Sequence, residues 1–248
     1  MTGLAVDLAR VATGAADGGR AGWSAVRDAL ARLGRLRDAD LPDDLRGWGR
    51  RIAARDGALP LLGLGVRAAT FPGLLWNGAR LHRAHLGAVE GLTLVGLASA
   101  PPDADAADLL RGVEAGLAVN EALVGARGAG VPSTGVVGAA ACAAVCSATR
   151  AEALPELLDL AGTLMVVAPA TDDSPVERAL RTGHELAAGW LAGRLTGTGI
   201  IGMPDGLRDT VSTVTGDPCP VLAQQVRRCS EDPAPVGIRP AELLGSLS

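Results

Sequence analysis

Lysine and tyrosine are absent from this 248-residue chain, and phenylalanine occurs once. All 23 basic residues are therefore arginine. Without lysine there is no Schiff-base amine, no lysine general base and no lysine grip on a phosphate. A GC-rich coding sequence accounts for this bias without an adaptive reading. An excess of positive charge is lacking too: the net charge is −4, with arginines interspersed among acids. No basic stripe is present to follow a phosphate backbone, so nucleic acid is not an expected partner. Long apolar runs are also missing. The longest uncharged stretch, Gly128 to Thr149, is interrupted by Pro132, Ser133 and Thr134. It reads as a buried helix, not a membrane span. The opening "MTGLAVDLARVATG" has no charged segment followed by an apolar run, so no signal peptide is expected and a cytoplasmic location is. Cysteines are few: Cys142, Cys146, Cys219 and Cys229. The first two stand four residues apart in an alanine-rich segment, unlike a zinc motif and poorly placed for a disulfide. They read as inert core thiols. No metal and no cofactor is expected.

What is present is a folded composition, with 48% hydrophobic and 20% charged residues and a mean hydropathy of +0.26. Helical periodicity dominates. "GWSAVRDALARLGRLRD" places Ala25, Val26, Ala29, Leu30 and Leu33 on one stripe. "LPDDLRGWGRRIAAR" follows as a shorter helix with Pro42 near its start. "PGLLWNGARLHRAHLGAVEGLTLVGLAS" is helical in composition but punctuated by Gly78, Gly87 and Gly91, which allows two helices. A long helix is expected near Asp105–Leu123, packed on an all-apolar helix near Val136–Cys146. "RAEALPELLDLAGTLMVVA" is another helix. Ser174, Pro175 and Glu177 form a capping box ahead of "VERALRTGHELAAGWLAGRL". "MPDGLRDTVSTV" and "PVLAQQVRRC" suggest two more short helices, and "ALPLLGLG" a short strand or a loop. The expected fold is all-α, with one helical domain over 1–229 and a loosely attached tail over 230–248. There is no internal repeat.

All three histidines are candidates for chemistry. His82 and His85, three apart on a helix, would share a face as a general acid/base pair. Otherwise one is structural and one exposed. A metal would need a third ligand, from His184 or Glu90. His184 reads as a proton shuttle or carboxylate partner, or as part of a solvated face beside Glu185. Gly183 could let a substrate approach closely. Ser133, Thr134 and Gly135 could form an anion pocket at a helix start, or a plain cap. Arg80, Arg83 and Arg181 are candidate carboxylate clamps, against the ordinary solvated arginine. Asn77 could orient a substrate or cap a helix.

Four segments resemble, in order, the MmgE/PrpD family, which includes 2-methylcitrate dehydratase and cis-aconitate decarboxylase. "NGARLHRAH" (Asn77 to His85) is similar to the family's "NGALAHALDFDDTH". "ADLLRGVEAGLAVNEAL" resembles its next long helix, and "GVPSTGVVGAAACAA" its "GWHPTGTAGAAAAAA". "RTGHELAAGWLAGRLTGTGIIGMPD" resembles its "HAGKAARNGLLAALLAQRGFTGPPD". The matches cover roughly Leu61 to Asp205. The resemblance implies a helical domain with an active site among these motifs. It places His82 on a family histidine, and His85 and His184 on two positions used for catalysis. The departures are large. The acidic "DDTH" loop and the α+β lid domain have no counterpart here. Pro132 stands for the histidine before "TG", and Arg181 for that of "HAGK". Dehydration or decarboxylation by the family mechanism is therefore not expected.

Two functions follow. The first is a repurposed lyase, isomerase or cyclase whose His82, His85 and His184 move protons on a small or medium organic, biosynthetic substrate. Asn77, Arg80, Ser133, Thr134 and Arg181 would bind that substrate. The second is a non-catalytic helical subunit that binds a ligand or a full-length family member, with a homodimer or partner protein left open.

Overall fold

The computed structural model describes residues 3–16, 22–37, 39–125, 135–166, 174–215 and 239–247. The expected helix in "PVLAQQVRRC", Cys219, Cys229, Ser133 and Thr134 lie outside them. The chain opens with α1 (Leu4–Ala16), α2 (Trp23–Leu36) and α3 (Asp43–Ile52). A hairpin of β1 (Leu59–Leu61) and β2 (Val66–Ala68) follows, with Leu59 opposite Ala68. Then come α4 (Thr70–Arg83), α5 (Ala88–Ser99), α6 (Ala106–Gly125) and α7 (Gly135–Cys146). A 3-10 turn at Ala151–Ala153 leads into α8 (Leu154–Thr163), then α9 (Pro175–Thr196), α10 (Gly206–Thr215) and α11 (Pro240–Ser246). The fold is all-α, as expected, and the hairpin is the only sheet among the described residues. No helix among them is long and apolar enough to cross a membrane.

Helix α7 explains the architecture. It is apolar on every side because it separates two cores. Ala139, Cys142, Ala143 and Cys146 face a cluster shared with α2 to α6, including Trp76, Leu92 and Leu109. Val136, Val137, Ala140, Ala141 and Ala144 face a second cluster with α1, α8, α9 and α10. The expected packing of α6 on α7 is present. Both cysteines are free and buried, and Cys142 Sγ donates to the Leu92 carbonyl at 3.3 Å. Burial raises the Cys142 thiol well above its usual pKa, helped by the Cys146 thiol beside it, which fits an inert core group.

Local sequence accounts for the ends. Asp105 and Asp108 cap α6 reciprocally, each carboxylate accepting the other's N–H at 2.9 Å. The Ser174/Glu177 box caps α9 as expected. The "ALPLLGLG" segment is a strand and its turn, with Gly63 and Gly65 at φ +89° and +64°. Asp159 on α8 accepts the Leu207 N–H at 3.1 Å and holds the start of α10. Of the tail expected over 230–248, residues 239–247 are described. Helix α11 packs on α5, and Leu247 is buried in the first core. An amphipathic "PAELLGSL" turn supplies the apolar face that proline counting overlooks.

Candidate functional site

Helices α4 and α9 meet with their backbones in contact. A Cβ on Gly78 would lie 2.5 Å from the Gly183 Cα, and one on Gly183 would strike the Leu75 carbonyl. Gly183 therefore makes room for a helix, not for a substrate, which corrects the reading of close substrate approach.

The expected site residues divide around this seam. His82, in the last turn of α4, is half-buried, and its Nδ1 lies 3.3 Å from the Thr182 hydroxyl of α9. Thr182 also donates to the Arg178 carbonyl at 3.2 Å. When the hydroxyl proton is used there, the Thr182 oxygen accepts Nδ1–H of His82. Desolvation lowers the His82 pKa, and the positive charges of Arg178, His85 and Arg83 lower it further. The imidazole is neutral at neutral pH.

His85 is not on the helical face that its spacing suggested. Helix α4 ends at Arg83, and His85 follows in the left-handed region at φ +55°. Its N–H bonds the His82 carbonyl at 3.1 Å, and the Leu86 N–H bonds the Leu81 carbonyl at 3.0 Å. This is a Schellman turn with histidine in the place that glycine usually takes. His85 is exposed. It still stands close enough to His82 to act on its charge.

His184 separates from the pair. It lies one residue beyond Gly183 on α9, where Thr182 is one residue before, so the two diverge around the helix. Its Nε2–H donates to the Leu164 carbonyl just past α8, at 3.0 Å. That bond satisfies an end group of α8 and fixes the tautomer. His82 feels His85 but shows no influence of His184. The structure thus brings two of the three histidines together, where a single three-histidine site was expected.

Three binding candidates change their meaning. Asn77 is fully buried, donating to the Pro60 carbonyl at 2.9 Å and accepting the Leu62 N–H at 3.0 Å. It pins the hairpin to α4 and has no amide face left for a substrate. Arg80 is buried, its Nη2 donating to the Ala39 carbonyl at 3.1 Å beneath the loop before α3. Burial lowers its pKa against the opposing pull of Asp40, so it is a structural brace, not a clamp. At Gly135 the Glu185 carboxylate occupies the space that a Cβ would fill. The first residue of α7 therefore faces the protein's own anion, while Ser133 and Thr134 of the expected anion pocket lie outside the described residues. Arg181 is half-buried on α9 beside Thr182. Glu90 is taken as well, by Arg32 and by the Gly87 N–H, so it is not a spare metal ligand.

Sequence reasoning missed the cavity. A groove of about 200 Å³ opens between α3, α4 and the first turns of α9. Leu45, Trp48, Ala79, Val176, Ala179 and Leu180 line it, with Asp44 and Arg83 as its only charged lining. Val176 and Leu180 are 48% and 41% exposed. Their spacing, four apart after a capping box, was visible in the sequence but reads as ordinary core. Neither a family model nor a curated protein matches this chain.

The His82 environment carries a pH prediction. The folded protein binds the His82 proton less readily than the unfolded chain, whose value is about 6.5. The stability that His82 permits is present above that pH and is lost as pH falls toward the lowered folded value. Urea midpoints measured at pH 7.5 and 5.5 should fall less in His82→Gln than in the parent. An identical drop in both would refute the assignment. The comparison cancels Asp159, whose carboxyl is raised by burial and adds stability on acidification.

Proposed function

We propose that this chain is a non-catalytic helical domain, a divergent relative of the MmgE/PrpD helical domain, that binds an organic ligand between α3, α4 and α9. One observation carries this reading: the apolar groove that leaves Val176 and Leu180 exposed. A concave apolar surface with a few polar groups at its rim is the common form of a ligand site. Six of its eight lining residues are apolar, which favours holding a ligand. The relationship rests on the four similar segments in the sequence. They fall on α4, α6, α7 and α9, and α9 packs on both α4 and α7 while α7 packs on α6.

A second reading is favoured by His82. A neutral imidazole with a neighbouring histidine is suited to proton abstraction, and elimination, isomerisation or cyclisation would use it. Here His82 is the base and His85 the acid, without His184.

The test is titration with a neutral, environment-sensitive naphthalene dye. A blue-shifted, saturable 1:1 signal is expected, unchanged in His82→Ala and lost in Leu180→Asp. Leu180 is exposed enough for that variant to fold. Equal signals from the parent and Leu180→Asp would remove the groove as the site. Loss of dye binding in His82→Ala would move the site to the histidines.

A further inference from the structure

Resting on the groove reading above, we infer that the ligand is an amphipathic monoanion, an apolar ring or short chain bearing one carboxylate, which Arg83 receives at the rim. The volume limits the apolar part. A cavity of about 150 Å³ holds a benzene ring, and the groove offers about 200 Å³. Leu45, Trp48, Ala79, Ala179 and Leu180 supply the apolar walls.

The sign of the head group comes from Arg83. Its side chain is 29% exposed, and its nearest carboxylate, Asp44, stands 3.6 Å away, beyond hydrogen-bond distance. A guanidinium has five N–H donors in a rigid fork, and a second carboxylate can take two of them in parallel. Asp44 is the more solvated partner at 54% exposure, so water already satisfies it. The next acids on this side, Asp40 and Asp43, stand 3.9 Å from Arg46. Behind Arg83, across the α4/α9 seam, Arg178 adds a second positive charge close enough to act on His82. Arg178 has no ion pair with a described residue. An anion entering the groove therefore meets a partly desolvated guanidinium with donors to spare, and a cation meets a carboxylate that is mostly in water.

Calorimetric titration of the whole chain with 4-phenylbutyrate, 4-phenylbutan-1-ol and 4-phenylbutylamine reads this directly. Phenylbutyrate should bind at least tenfold more tightly than either analogue, and Arg83→Gln should reduce that advantage to less than threefold. Circular dichroism should show both proteins equally folded, since the Arg83–Asp44 pair is partly solvated. Equal affinity for acid and alcohol would overturn the anion inference and leave the groove reading standing. Preference for the amine would assign the rim to Asp44 and overturn it likewise. If none of the three binds and the neutral dye fails too, the groove reading falls with it.

Discussion

Gly183→Val is expected to destabilise the protein by about 3 kcal/mol or more, the upper end of overpacking. The added Cβ would overlap the Leu75 carbonyl oxygen, with the carbonyl carbon at 2.9 Å and the Leu75 Cα at 3.2 Å. These are backbone atoms, so no rotamer change relieves them. From the other side, a Cβ on Gly78 would lie 3.0 Å from the Thr182 carbonyl oxygen and 2.5 Å from the Gly183 Cα. Only a separation of the two helices would make room. That would also pull His82 from Thr182 and widen the groove. Urea unfolding measures the loss, with Gly47→Ala as control. Gly47 lies in α3 with nothing within 4 Å of its Cβ position. There, alanine should stabilise by roughly 0.5–1 kcal/mol. A Gly183→Val protein as stable as the parent would mean that α4 and α9 do not touch at this point.

Asn77→Ala should cost about 2–4 kcal/mol, since two buried backbone groups, the Leu62 N–H and the Pro60 carbonyl, lose their partner together. The hairpin would detach from α4, so hydrogen exchange at Leu62 should accelerate along with the fall in the urea midpoint. A residue that merely oriented a substrate would leave both unchanged. Such a result would return Asn77 to the binding role its motif suggested.

Histidine and asparagine are hard to assign from sequence for one physical reason. Each is a polar group that serves a site or a backbone equally well, and the choice depends on which donors and acceptors the fold leaves unpaired. Asn77 faces a hairpin whose backbone needs it, and His184 faces the end of α8. Spacing failed at His85 because the helix stops two residues before it. The left-handed residue at a helix end is usually glycine, so a histidine there gave no signal.

The helices were legible because their causes are local. Periodic apolar faces, the Ser174/Glu177 box and the glycines between α4 and α5 act within a few residues of chain. The all-apolar pattern of α7 likewise foretold burial on every side. By itself, then, the sequence determined an all-α fold, most of its helices and a buried α7. Tertiary structure alone decided that Gly78 and Gly183 bring α4 and α9 into backbone contact. It decided that His82 stays with His85 while His184 turns to α8, and that Val176 and Leu180 line a groove instead of filling a core. The reason is range. Helix formation depends on neighbours three and four residues away. The partner of a side chain here sits 20 to 100 residues away, as for His184 with Leu164 and His82 with Thr182, and only packing brings it there.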